Sequence, residues 1–522
     1  MRKTIKVINA KGQKVDKEIV HIPFRYILAM AIFIIETVLV IGLVIACSKY
    51  IPYFFVVINL TQFLVCISII GSSDNPDYKV PWLVVVLVVP IVGFMLYFMF
   101  YKRKLSKKFI KKYEEIQKSY EPNDNNVLEK LKKENEEIYS QAKQIKAYSS
   151  NHIFNDTETK YFASGEELFE DMLVELDKAK KFIFLEFFII ESGVFWNSIL
   201  TILKQKVANG VDVKVVYDDI GCMMTLPGNY FRDLQKMGID CVPFSFLKGQ
   251  ANNEFNNRSH RKLLIIDGKV AFTGGVNLAD EYINRKIRFG FWKDCGIKIT
   301  GNGVNEFTEL FLGDYLLNLY KGSEHIDINK YYVENEEKED GYIIPFGDGP
   351  NPIYLRNVGK TIILNMLYTA RKYVYITTPY LIVDNEIAMA IENCAQRGVD
   401  VRIIVPHIPD KKIAFEMTRS NYKRFVDANV KIYEFEPGFI HSKCYIADDE
   451  VGMVGTINLD YRSLVHHFEN GVWMYKSKAI MEVKKDVEKI INVSIEIKNK
   501  DIKNNILHRM FRAIVKVIAP LL

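Results

Sequence analysis

HRKLLIIDGKVAFTGGVN, residues 260–277, and HSKCYIADDEVGMVGTIN, residues 441–458, lie over each other without a gap. Each reads His-x-Lys-x4-Asp, then Gly, then Gly or Thr, then x-Asn. In the first copy two apolar runs meet at Asp267-Gly268, a favoured tight-turn pair, so the stretch reads as two strands of a hairpin. Alternation along the first strand puts His260 and Lys262 on one face and Arg261 on the other. A hairpin needs no His and Lys at matched positions twice, so the duplication points to chemistry rather than to strand stability.

That chemistry suits a phosphodiester. A neutral imidazole can attack phosphorus, and a neighbouring ammonium can stabilise charge on the non-bridging oxygens. One copy is half a site. Two copies face to face supply an imidazole on each side of the phosphorus, one as nucleophile and one as general acid for the departing alkoxide. His260, Lys262, Asp267, His441, Lys443 and Asp448 are therefore the candidate catalytic set. The two aspartates sit at the hairpin turns, which suits a supporting role better than a reacting one.

Outward from the motifs the duplication continues. VANGVDVKVVYDD, residues 207–219, matches AQRGVDVRIIVPH, residues 395–407, each a helix end, a Gly turn and a buried strand. Strands are expected at 182–189, 213–217, 373–377 and 401–405, and helices at 196–208 and 386–396. The fold class is α/β: two tandem halves, 151–340 and 341–490, related by a pseudo-twofold axis, with the acidic stretch Glu334–Asp340 and the Gly- and Pro-rich residues 347–352 between them.

The N-terminal 1–112 has a different composition. It carries 16 Lys and Arg against 5 acids, an excess of +11, so with +6 for the whole chain the remainder carries −5. A mildly acidic catalytic part argues against nucleic acid as partner. Three apolar runs, 26–47, 51–70 and 80–101, each approach the roughly 20 residues that cross a bilayer, which gives an anchor of two or three spans. Basic residues precede the first run and follow the last, so both flanks read as cytoplasmic, and three full crossings conflict with that. Glu36 is a mid-membrane carboxylate in the first run. A charged connector, 113–150, follows the anchor. The last segment, 491–522, carries Leu507, Met510, Phe511, Ile514 and Ile518 on one helical face and Arg509, Arg512 and Lys516 on the other, the pattern of an interfacial helix that aids work on membrane-presented substrate. The seven scattered cysteines include no CxxC pair, and neither a metal-ligand cluster nor a cofactor motif is visible.

The two motifs resemble the HKD signatures of the phospholipase D superfamily, and the whole chain is similar to bacterial cardiolipin synthases. The likeness runs through NPDYKVPWLVVVLVVPIVGFMLYF (75–98), YDDIG (217–221), FWKD (291–294), TTPYLIVD (377–384), GFIHSKCYIADD (438–449), GTINLDYRS (455–463), Phe468-Glu469 and the terminal APLL. It implies His260 as the nucleophile that becomes phosphatidyl-histidine and His441 as the acid that later deprotonates the acceptor alcohol. It also implies Lys262, Lys443, Asn277 and Asn458 as holders of the phosphate, and Glu469 as a support that orients a motif histidine. Phosphatidylglycerol and anionic membrane lipids would be the partners, no metal or organic cofactor would be required, and the protein would be a multi-pass bacterial cell-membrane protein with its catalytic halves in the cytoplasm. The chain departs from the usual pattern at Ser259, Tyr315 and His467, where relatives often carry Asn, Trp and Asn. A lipid hydrolase or nuclease of the same superfamily and a non-catalytic scaffold are the rival readings; intact motifs in both halves disfavour the scaffold.

Overall fold

The computed structural model describes residues 2–8, 14–20, 24–46, 51–72, 75–101, 107–117, 119–244, 257–319, 327–336, 339–351, 353–354, 356–502 and 510. Two mixed sheets carry the duplication. The first runs in the order Thr157–Phe162, Gly296–Gly301, Val270–Gly274, Lys262–Ile266, Phe182–Phe187, Asp212–Asp218, Asp240–Phe244. The second repeats it strand for strand as Tyr342–Asp348, Glu469–Tyr475, Val451–Gly455, Cys444–Ala447, Tyr373–Thr377, Asp400–Pro406, Lys431–Phe435, and adds Ser494–Ile497 at the far edge. In both, the parallel strands are joined through a helix, Val194–Ala208 in one and Asn385–Gln396 in the other. Strands buried on both faces read as unbroken apolar runs, which is why FIFLEF and KLLII stand out in the sequence.

The motif hairpins turn where the sequence suggests. Asp267 and Gly268 have φ of 54° and 67°, and Asp448 and Asp449 have 58° and 68°. Asp and Asn tolerate this left-handed region better than other non-glycine residues, so the second copy makes the turn without glycine.

The halves share one interior. A single apolar cluster takes Leu263, Ile265, Phe307 and Phe311 from the first half and Ile344, Phe346, Val454 and Val472 from the second. Between them runs the helix Val304–Asn318, whose residues from Val304 to Tyr315 are all buried. Its acids are individually matched: Asp314 pairs with Arg261 at 2.5 Å, and Glu306 takes the Asn151 amide and a His152 ring nitrogen. The segment read as a connector is itself docked on this interior. Tyr113, Leu131, Ile138 and Ile145 from its helices are buried in the same cluster. Its Lys and Glu residues are the solvent side of amphipathic helices.

The N-terminal region forms a hairpin, Arg2–Ile8 with Lys14–Val20, then the helices Phe24–Ala46 and Ile51–Ile70. Among the described residues one helix, over Tyr53–Ile70, is long and apolar enough to cross a membrane. The third apolar run differs from the expected single helix. It is two helices, Pro76–Val88 and Pro90–Leu96, folded against each other at Val89, whose φ is −130°. Pro90 has no N–H to give the carbonyl of Val86, so the helix cannot continue there. Gln62 fills the gap: its Nε2 donates to the carbonyls of Val86 at 3.0 Å and Leu87 at 3.2 Å. Such bonds between apolar helices are worth about 0.6–2 kcal/mol. Gly93 makes the fold-back close, since a Cβ there would stand 2.6 Å from the carbonyl oxygen of Val85. The start of this run touches the second half: Asn75 donates to Asp384 at 2.8 Å, the amide of Asn385 donates to Asp77 at 2.6 Å, and the Tyr78 ring meets that of His466. The expected C-terminal amphipathic helix falls, from 503 on and apart from Met510, outside the described residues.

Candidate active site

Each motif segment crosses into the other half. Ser259 bridges Phe468, with the amide of His260 donating to the Phe468 carbonyl at 2.8 Å. On the opposite side of the pseudo-twofold axis Gly438–Ile440 pairs with Phe291–Lys293, and the amide of His441 donates to the Lys293 carbonyl at 2.7 Å. The next residue along in each partner segment is a carboxylate. Glu469 therefore meets Nδ1 of His260 at 2.9 Å through both its oxygens, and Asp294 meets Nδ1 of His441 at 2.8 Å. The first half holds one imidazole and the acid that aims the other; the second half does the converse. With Nδ1 tied down, each imidazole presents Nε2 to the site.

The glycine-rich step after each hairpin makes room for this exchange, differently in the two halves. A Cβ on Gly275 would come within 2.0 Å of Asp294 Oδ1 and 2.8 Å of the His441 carbonyl oxygen. Thr456 stands at the matching place, and its hydroxyl donates to Glu469 Oε2.

Lys262 and Lys443 lie behind their histidines, each ammonium donating to the carbonyl of the motif His two residues earlier. Burial pushes Lys262 down to about 7, against the pull of Glu469, and Lys443 down to about 8, against Asp294. Burial also lowers both imidazoles, His260 well below the usual range and His441 to about 4, with Lys262 and Lys443 respectively adding to the effect. The two orienting acids diverge. Burial drives Glu469 well up, whereas Asp294, equally buried, is held below the usual carboxylate range by His441, Lys443 and the Cys295 amide.

The motif aspartates are elsewhere. Asp267 accepts from the amides of Lys180, Lys181 and Phe182 at 2.7–2.9 Å, and Asp448 from those of Arg371, Lys372 and Tyr373 at 2.6–2.9 Å. They fasten the hairpin turn to the start of the neighbouring strand and do not touch the imidazoles. Grouping them with the reacting residues is corrected by this placement: each carboxylate is directed at three backbone amides of the neighbouring strand, away from the imidazoles. Asn277 is partly committed, its Oδ1 to the Ile189 amide at 3.0 Å and its Nδ2 to the Tyr282 hydroxyl at 2.8 Å. Asn458 is buried with its Oδ1 unpaired.

Sequence reasoning missed Asp294. Its signal was present, because Trp292-Lys293-Asp294 and His467-Phe468-Glu469 occupy matching places in the two halves. It also gave no role to Asp218 of YDDIG, which binds Arg258 at 2.8 Å and the Ser259 amide at 3.1 Å and so fixes the approach to the first motif. Ser259 in turn donates to Glu186 at 2.5 Å.

A family model described as "Cardiolipin synthase, PLD-like domain" matches residues 172–287 and 363–491, and one described as "Phospholipase_D-nuclease N-terminal" matches 62–100. The cardiolipin synthase of Halalkalibacterium halodurans is 32% identical over 90% of this chain and 94% of its own length. The chain belongs to the cardiolipin synthase family. Cardiolipin synthase 2 of Bacillus cereus is 31% identical over 89% of the chain, and an uncharacterized protein of Streptococcus mutans is 41% identical over 87% of it and 98% of its own length. The fold is shared with the crystal structure of the phosphatidylserine synthase of Haemophilus influenzae, at 15% identity and a TM-score of 0.55 over 74% of the chain.

Asp294→Asn should leave the chain folded yet lower turnover by about 10⁴-fold, because an amide cannot support the imidazolium form of His441; steady-state rates on matched, folded samples check this. Because Lys262 and Lys443 lose their charge as pH rises through about 7 and 8, kcat/KM for an anionic phosphodiester should fall above about pH 8. A rate profile flat to pH 10 would show that the ammonium charges do not bind the phosphate.

Proposed function

We propose that the protein transfers a phosphatidyl group from one phosphatidylglycerol to the primary hydroxyl of another, giving cardiolipin and glycerol. The observation that carries this is the crossed pair of carboxylate-anchored imidazoles, one from each half, beside two buried lysines. His260 Nε2 attacks phosphorus and the bond from phosphorus to the glycerol oxygen breaks, while His441 gives that oxygen its proton. In the second step His441 takes the proton from the acceptor hydroxyl, whose oxygen displaces His260 and restores a neutral imidazole. Burial favours the neutral form of both rings, and the bound phosphodiester anion raises the proton affinity of His441, which takes up its proton from solvent as substrate binds. The ionised Asp294 beside His441 supports that ring as the acid, and Glu469 accepting the Nδ1–H of His260 leaves Nε2 as the nitrogen with the free lone pair that attacks. Lys262, Lys443, Asn277 and Asn458 hold the phosphate oxygens in this reading, which needs no metal or organic cofactor.

The membrane reading is that Phe24–Ala46 and Ile51–Ile70 cross the bilayer as a pair and the folded-back 76–96 enters and leaves by one face. Two crossings return the chain to its starting side, so both basic flanks lie in the cytoplasm with the catalytic halves. The break at Pro90, satisfied by Gln62, supports a re-entrant third run, because non-helical backbone at membrane depth is tolerated where protein groups satisfy it.

Full-length protein in phosphatidylglycerol vesicles with a labelled headgroup should release labelled glycerol and form cardiolipin, seen by mass spectrometry. His260→Ala and His441→Ala should each abolish both products, without additivity. Phosphatidic acid as the sole product would establish a hydrolase instead. Protease added outside wall-free cells should spare everything after Lys112, whereas cleavage there would reverse the assigned orientation.

A further inference from the structure

One buried polar side chain at the site has no part in the mechanism above. His467 is 8% exposed, yet neither Nδ1 nor Nε2 has a hydrogen-bond partner. Its ring is 5.5 Å from that of His260, and its Nδ1 stands 3.9 Å from Glu469 Oε1, beyond hydrogen-bond reach. Buried polar groups are almost always satisfied, so an imidazole with both nitrogens open beside a nucleophile is a group awaiting a ligand.

The ligand chemistry follows from what the ring offers. Burial keeps His467 neutral, with Arg462, Lys262, Arg258 and Lys411 adding to the effect. A neutral imidazole has one donor and one acceptor, and a hydroxyl complements both, whereas an ionised phosphate oxygen only accepts. Ligand atoms of His260, His467 and Glu469 do lie within 4.8 Å of one another, a spacing a cation could use. The cationic surroundings oppose one, and both Glu469 oxygens are already engaged, on His260 and, for Oε2, on Thr456 as well.

The opposite side of the pseudo-twofold axis lacks this feature. Trp292 occupies the matching place, and its Nε1 is spent on Asp294 at 3.2 Å. Among the described residues of the site, His467 is the side chain with both a donor and an acceptor position open, and it lies on the His260 side.

We propose that His467 determines alcohol specificity by hydrogen-bonding the secondary hydroxyl of the glycerol headgroup, selecting vicinal diols over simple primary alcohols. This rests on the phosphatidyl-transfer reading above. The leaving glycerol and the glycerol of the acceptor lipid are the same chemical group, so one contact serves both steps.

The test is a partition experiment on the full-length protein in detergent with phosphatidylglycerol as donor. Labelled glycerol and 1-propanol compete for the common phosphatidyl-enzyme, and the ratio of labelled phosphatidylglycerol to phosphatidylpropanol is read by mass spectrometry. The ratio does not depend on how much enzyme is folded. The unsubstituted protein should favour glycerol by about tenfold, His467→Phe, which keeps a ring and removes both polar atoms, should bring the ratio near one, and His467→Asn, which keeps a donor and an acceptor, should restore much of the preference. An equal preference in the Phe variant and the unsubstituted protein, or no preference in either, would overturn the proposal. Absence of transfer to any alcohol by the unsubstituted protein would overturn the transfer reading itself.

Discussion

Everything at the site depends on an exchange of carboxylates across the seam between two repeats. Neither half can aim its own imidazole: His260 is held by Glu469 and His441 by Asp294, over pairs of strands that cross between the halves. The exchange accounts for details that look unrelated. Gly275 must be small because Asp294 and the His441 backbone press on it. Arg261 reaches from the back of the first motif to the Glu469 carbonyl at 3.1 Å and is itself neutralised by Asp314 on the shared central helix. Removing one partner of such a buried pair strands the other, so the cluster stands or falls together.

The exchange also leaves the two sides of the duplicated site chemically unequal. The halves match in strand order, motif spacing and crossing geometry, yet Asp294 is shorter than Glu469 and is supported by an amide and an indole, whereas Glu469 leans on a hydroxyl. Equal burial therefore yields opposite outcomes for the two acids, and two imidazoles of one chemical type acquire different characters.

Much of this was legible in the sequence. The paired motifs, the hairpin turns at Asp267 and Asp448 and the repeated helix-to-strand passages are local patterns, and local patterns survive in a string of letters. Asp294 was legible only as a match between the two repeats, because its role exists only once two strands from different halves lie side by side and the histidine it orients, His441, is far from it in sequence. The fold-back at Pro90 was hidden for a similar reason. An apolar run reads as one span by hydropathy, and the donor that permits the break, Gln62, lies 24 residues earlier than the carbonyl it serves. The docking of 113–150 was masked by composition, since its Lys and Glu residues outnumber the few buried apolar ones that decide its position.

The helix Val304–Asn318, buried from Val304 to Tyr315, has a consequence for how the chain is made. One side of it is covered by the strand Tyr342–Asp348 of the second half, while its other main neighbours are strands of the first half and the helix Lys107–Gln117. At typical synthesis rates the ribosome needs about 10–35 s to travel from Asp294 to Glu469. During that interval the first sheet can assemble on its own outer apolar cluster, but the central helix has an uncovered side and His260 has no carboxylate. The nascent protein thus passes through a stage with an apolar flank open to other chains, and its dependence on chaperones or on rapid docking should be concentrated in that one window of elongation.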